Sequence, residues 1–214
     1  SGNLSQEPIC IDENEATDRL AGIADEFVMH NRPIVRPVED SVVRVMLGRP
    51  LMLGRARGYA PLPLTIKYET ARMLATGAHL KNAVAVSIGK QVFLGSHVGD
   101  LDTSEAVDAF EKSAASLIAL QEKPIARVAC DAHPDYASTQ RAERLSIPRV
   151  PVQHHLAHVL ACMADNDLTG PVLGVAWDGS GLGNDGTIWG GEFLRVESGR
   201  FTRVAHLRTF RIPG

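Results

Sequence analysis

The run "PVLGVAWDGSGLGNDGTIWGGEFLRV", residues 171 to 196, limits the fold most. An apolar β-branched run ends in Asp178-Gly179, glycines follow, and a second β-branched, aromatic run comes next. "GLGNDG", Gly181 to Gly186, matches the spacing G-x-G-x-x-G. A dinucleotide fold needs a helix after that spacing, with the pyrophosphate at its N-terminus. Here "TIWGGEFLRV" reads as a strand, so the glycines form a hairpin loop and the dinucleotide reading fails.

Upstream, hydrophobic periodicity alternates between strand and helix. "DENEATDRLAGIADEFVMH", residues 12 to 30, predicts a helix on Leu20, Ile23, Phe27 and Val28. "RPIVRP" and "DSVVRVMLGRPLMLGRARGYAP" predict short strands, and "YAPLPLTI" a proline-marked linker with a boundary near residue 66. "NAVAVSIGKQVFLGSHVGD" predicts a hairpin turning at Gly89-Lys90. "TSEAVDAFEKSAASLIALQ" predicts an amphipathic helix burying Val107, Phe110, Ala114 and Leu117, stopped by Pro124. "IARVACD" reads as a buried strand, "YASTQRAERL" as a short helix, and "PRVPVQ" as a strand leading into a histidine-bearing helix. Three more strands follow from Pro171. The order echoes itself coarsely and predicts an α/β architecture with helices on mixed sheets.

"VQHHLAHVLACM", residues 152 to 163, carries three histidines. A helix turns about 100° per residue, so His154 and His158 lie about 40° apart. Leu156, Val159, Leu160 and Met163 gather on the opposite face, and His155 falls between. Imidazoles at i and i+4 can share one cation. The glutamate of H-E-x-x-H is absent, which argues against a metalloprotease. The plainer reading is a solvated histidine face. Asp178, at a strand's C-terminal end, is placed either to complete a metal site or to cap its turn. "DAHPDY", Asp131 to Tyr136, ends a strand similarly, and an Asx turn explains it equally well.

Other function classes find less support. A net charge of -3 gives no overall attraction to nucleic acid or acidic membranes. Arg49, Arg55 and Arg57 form a local basic run, but few aromatics accompany it for base stacking. No apolar run reaches membrane-spanning length. The three cysteines lack C-x-x-C spacing, which predicts reduced thiols and a cytoplasmic setting; Cys162 reads as core. Starting on Ser1 and stopping after a strand-like stretch, the chain reads as a piece of a longer one.

Taken in order, "SGNLSQEPI", "EDSVVR", "RARGYAP", "LKNA", "HVGDL", "CDAHPDY", "VQHHLAH" and "DGSGLGNDGTIWGGEFL" resemble the hydrogenase-maturation carbamoyltransferases of the HypF type. The resemblance implies the C-terminal part of a YrdC-like domain (residues 1–66). It implies the first lobe of an actin-like, threonylcarbamoyl-transferase-like mixed-sheet domain (67–170) and a truncated second lobe (171–214). It implies ATP with Mg²⁺, carbamoyl phosphate, a carbamoyl-adenylate and transfer of the carbamoyl group to a C-terminal cysteine of a HypE-type acceptor. It makes His154, His158 and Asp178 ligands of a divalent metal, with iron or zinc favoured. It places Gly179, Ser180, Gly181 and Gly183 at the nucleotide phosphates. Asn3, Ser5, Ser41 and Arg44 match nucleotide and carbamoyl contacts of YrdC-like domains, with Arg55 and Arg57 as weaker anion-binding candidates and Asp131 and His133 as weaker site residues. No nucleophile is required, because the acceptor supplies the thiolate. The distal lobe, expected to add a further metal ligand and adenine contacts, is missing, so the piece alone is expected to be inactive and to expose apolar surface. Two other readings stand beside this one. An actin-like ATP-binding kinase or O-carbamoyltransferase shares the Asp-Gly turn but not the YrdC-like start. A non-enzymatic YrdC-like segment would bind RNA.

Overall fold

A computed structural model describes residues 2–4, 7, 9–35 and 37–210. Asp12 starts helix α1 (Glu13–Arg19), its carboxylate accepting from Asn14 N and Glu15 N. The helix expected over 12–30 ends at Leu20, because Gly22 takes a left-handed φ of 81°. Beyond it Ile23 and Val28 are exposed, while Phe27 is half-buried. "RPIVRP" forms no strand among its described residues. Strands β1 (Val42–Met46) and β2 (Arg49–Gly54) make the expected hairpin. Its turn residues, Leu47 and Gly48, both have positive φ, as a tight hairpin requires.

Strand β3 (Pro63–Ala75) begins inside the stretch expected to be a linker and runs through residue 66. It pairs antiparallel with β4 (Ala85–Leu94), one continuous strand where a hairpin was expected. Gly89 instead lies within β4, opposite bulges in β3. It pairs with Thr70 between two register shifts, has φ 57°, and its carbonyl accepts from Thr70 Oγ1 at 2.7 Å. The long partner strand keeps the chain straight past a local turn signal.

Helix α2 (Ser104–Ala119) leads to β5 (Arg127–Asp131), and α3 (Ala137–Glu143) to β6 (Arg149–Val152). The sheet order is β4-β3-β5-β6, with β5 and β6 parallel to β3, a mixed sheet. Phe110, Ala114 and Leu117 of α2 are buried as expected, joined by Ala106, against Leu74, Val84, Val86 and Val128. The helix ends at Ala119, ahead of Pro124.

Helix α4 (His154–Asp165) follows β6 directly. Then come β7 (Val172–Ala176), the short hairpin β8 (Gly181–Leu182) and β9 (Ile188–Trp189), β10 (Glu192–Glu197) and β11 (Arg200–His206). β11-β10-β7 form an antiparallel sheet. Gly190 and Gly191 split the single strand expected after the glycine loop into β9 and β10. Val159 and Met163 of α4 pack on Ala176, Trp189, Leu194 and Val196. Gly174 permits this approach, since a Cβ there would lie 2.4 Å from Val159 Cγ1. Two expectations for α4 fail: Leu160 and Cys162 are exposed, not core. The outward face of β7 shows Leu173, Val175 and Trp177 to solvent. No helix among the described residues is long and apolar enough to cross a membrane.

Candidate metal centre

Three elements converge at the C-terminal ends of β5, β6 and β7, where ligands of α/β folds gather. β6 delivers the chain into α4, whose first residue is His154, with His158 one turn on. β7 ends two residues before Asp178. His154 Nε2 lies 2.8 Å from Asp178 Oδ2, and His158 Nε2 lies 3.3 Å from the same oxygen. The two Nε2 atoms are 3.3 Å apart. Three ligands about 2.1 Å from one ion lie about 3.0 Å apart at right angles and about 3.4 Å apart tetrahedrally. The triangle therefore fits a single cation, and the donor set (two imidazoles and a carboxylate) suits a divalent metal.

Asp131 stands behind the cage. It is buried; Oδ1 accepts from His133 N at 2.8 Å, and Oδ2 sits 2.7 Å from His154 Nδ1. The Asx turn read from "DAHPDY" is present, and the same carboxylate also orients a histidine. With Nδ1–H donating to Asp131, Nε2 is the atom left for a cation. The Asp131 hydrogen bond, then the charges of Asp131 and Asp178, hold the His154 imidazole above its ordinary pKa despite burial. Burial pushes the Asp178 carboxyl up, but the Gly179 N–H and the two histidines outweigh it and leave it below the usual carboxylate range. Asp131→Asn turns one carboxylate into an amide behind His154. The expected outcome, checked by metal titration, is an affinity about 10–100-fold weaker, as for other partners of metal-bound histidines.

His155 does not sit between faces. It is fully buried, and burial, helped by the nearby His154 charge, lowers its pKa. The glycine turn lies close to α4: a Cβ on Gly181 would come 2.6 Å from His154 Cβ. The Gly179 N–H points to Asp178 Oδ1 at 2.7 Å, and the Gly183 N–H to Thr187 O at 2.8 Å. Two of the amides expected to face phosphate are thus engaged within the turn, and Ser180 remains exposed at its bend. A groove of about 370 Å³, lined by His158, Asp178, Cys162, Leu173 and Trp177 among others, borders the cage.

The remaining candidates are held locally. Asn3 Nδ2 donates to Leu4 O and Glu7 O. Ser41 Oγ accepts from Ala56 N and donates to Arg57 O, latching the end of β2 to the start of β1. Arg44 lies exposed on β1 opposite Leu51. Arg55 donates to the carbonyls of Tyr59 and Leu62, and Arg57 pairs with Asp40. His133 stacks on Tyr136, centroids 4.3 Å apart. Ser5 lies outside the described residues.

Sequence reasoning missed a second cluster around the glycine turn. Glu192 is fully buried, its carboxylate bound by Arg203 Nε at 2.6 Å and Nη2 at 2.8 Å and by Gly190 N at 3.0 Å. Arg203 also lies over the Trp189 ring at 4.2 Å, and Trp189 Nε1 donates to Asp185 Oδ1. The only sequence signal was a glutamate inside an otherwise apolar β-run.

Comparison with known proteins settles the family. The model "HypF Kae1-like domain" matches residues 68–165, "Carbamoyltransferase, Kae1-like Domain, second subdomain" matches 174–214, and "Telomere recombination", of the Sua5/YciO/YrdC group, matches 1–56. Carbamoyltransferase HypF of Synechocystis sp. is 49% identical across 100% of the chain. The chain belongs to the HypF carbamoyltransferase family. The HypF of Rhizobium leguminosarum bv. viciae is 44% identical, again over 100% of the chain. The chain spans only 28% of the length of either relative. A crystal structure of full-length HypF in its phosphate- and nucleotide-bound form superposes with a TM-score of 0.91 at 42% identity, over 97% of this chain and 33% of that one. A crystal structure of T. kodakarensis HypF gives 0.91 at 33% identity, over 99% of this chain and 28% of that one. The mixed α/β architecture is thus that of HypF, with YrdC-like and Kae1-like parts.

Proposed function

We propose that this chain is the part of a carbamoyltransferase that holds a divalent cation and nucleotide phosphates while a carbamoyl group is passed to an acceptor thiol. The observation that carries the reading is the triangle of His154 Nε2, His158 Nε2 and Asp178 Oδ2, with Asp178 opening directly into the glycine turn. The names of the relatives support the transferase class. We assign residues 1–66 to the YrdC-like part, 67–170 to the first lobe and 171–214 to the start of the second. In this reading ATP, carbamoyl phosphate and water yield a carbamoyl-adenylate with release of phosphate and pyrophosphate, and a C-terminal cysteine of a HypE-type protein accepts the carbamoyl group in hydrogenase maturation. The thiolate attacks the carbamoyl carbon, the C–S bond forms, and the C–O bond to AMP breaks, AMP leaving with the electron pair.

Each residue has a role in that step. His154 and His158 present neutral Nε2 lone pairs, and Asp178 a carboxylate oxygen, to the cation. Asp131 fixes the His154 ring so that Nε2 faces the site. Ser180, at the exposed bend, offers a hydroxyl to phosphate. A bound divalent ion, iron or zinc by donor type, would polarise the carbonyl and orient phosphate. The test uses the full-length protein with ATP, Mg²⁺, carbamoyl phosphate and acceptor. The expected result is AMP release and one carbamoyl group on the acceptor cysteine by mass spectrometry, both lost in His154→Ala. ADP release with phosphate passed to a hydroxyl acceptor would instead favour an actin-like kinase.

A further inference from the structure

We propose that Gln153 is a positioning residue that sets the spacing between the histidine helix and the glycine turn; this rests on the metal reading above. The two sides of the cage come from different elements, α4 for the histidines and the end of β7 for Asp178. One buried side chain ties α4 to the glycine turn that follows Asp178. Gln153 is 4% exposed, and its amide is engaged at three points. Its carbonyl accepts from Leu156 N at 2.9 Å, which caps α4. Its NH₂ donates to Leu182 O of the turn at 3.3 Å and to His155 Nδ1 at 3.1 Å. An amide is the one uncharged side-chain group that supplies an acceptor and two donors at once.

The bridge matters because the turn sits so close to the helix. A Cβ on Gly181 would lie 2.9 Å from His155 Cε1 as well as 2.6 Å from His154 Cβ. The Gln153 contact to Leu182 O therefore holds the turn against the first residue of α4, the residue that carries one ligand. The contact to His155 fixes the fully buried ring on which the turn rests. Loss of the bridge lets the turn drift relative to α4 while each element keeps its own hydrogen bonds.

The cap and the bridge can be separated. Serine is a good N-cap but is too short to reach Leu182 O. In the full chain, Gln153→Ser is expected to keep helicity and weaken binding of Zn²⁺ alone by about tenfold or more, the size of effect seen when groups supporting a metal site are removed. Gln153→Met, which keeps volume and loses every side-chain hydrogen bond, is expected to weaken it at least as much and serves if the serine variant folds poorly. A Zn²⁺ affinity of the folded serine or methionine variant within about twofold of the parent would overturn the positioning role. Absence of saturable Zn²⁺ binding by the parent would overturn the metal reading itself, and this one with it.

Discussion

Alanine at His154 or at His158 is expected to raise the dissociation constant for Zn²⁺ at least about a hundredfold, beyond the usual loss from removing a group behind a ligand. Each replacement deletes one corner of a triangle whose sides are 2.8, 3.3 and 3.3 Å. Two remaining donors cannot enclose an ion from one side. Asp178→Asn tests the third corner, since an amide of the same shape lacks the charge that offsets the cation. His155→Ala separates ligation from scaffolding. His155 is fully buried against Gly181 but is absent from the triangle. Its loss is expected mainly as lower stability, with smaller weakening of metal binding. Isothermal titration of the folded variants distinguishes the two patterns, and an equal loss for His154→Ala and His155→Ala would count against the cage.

Arg203→Met is expected to destabilise the chain by about 3–5 kcal/mol, because it strands a buried carboxylate. Glu192 has no exposure, and two of the three groups bound to its carboxylate belong to Arg203. Burial alone pushes the Glu192 carboxyl up; Arg203 and the Gly190 N–H bring it below the ordinary value. In the parent, then, this pair stabilises above the carboxyl's unfolded pKa, and its contribution fades as pH falls through the lower folded value. In Arg203→Met the sign reverses. The unpaired carboxyl prefers to be protonated, so its folded pKa rises, and the variant loses stability as pH increases past the unfolded value. Urea denaturation across the acid range would show the crossover. Parallel pH curves for parent and variant would refute the clamp.

Much of the site's logic was local and therefore legible. Helical spacing alone put His154 and His158 side by side, and an apolar run ending in Asp-Gly put Asp178 at a strand tip. The strand after "GLGNDG" ruled out a dinucleotide loop, and β8 and β9 form that hairpin. What escaped was set by partners distant in sequence. The Gly89-Lys90 signal is a turn by composition, but thirteen-residue β3 runs past it, bulging opposite Gly89, and keeps β4 a single strand. The stripe on Leu20, Ile23, Phe27 and Val28 has helical spacing, but Gly22 breaks it, leaving Leu20 and Phe27 half-buried and Ile23 and Val28 exposed. Leu160 falls on the apolar face of a helical projection and Cys162 reads as core, yet the sheet covers only the Val159–Met163 side of α4. Asp131 was visible as a strand-ending carboxylate. That it meets His154 Nδ1 depends on β5 lying beside β6 in parallel. The Glu192–Arg203 pair depends on a cross-strand register with a shift at Phe193/Leu194, which no local pattern encodes.

The most direct measurement is anomalous diffraction at the zinc edge from crystals of the Zn²⁺-loaded chain. The account predicts one ion within about 2.0–2.2 Å of His154 Nε2, His158 Nε2 and a carboxylate oxygen of Asp178. An ion held by other groups, with Asp178 turned away from both imidazoles, would contradict it.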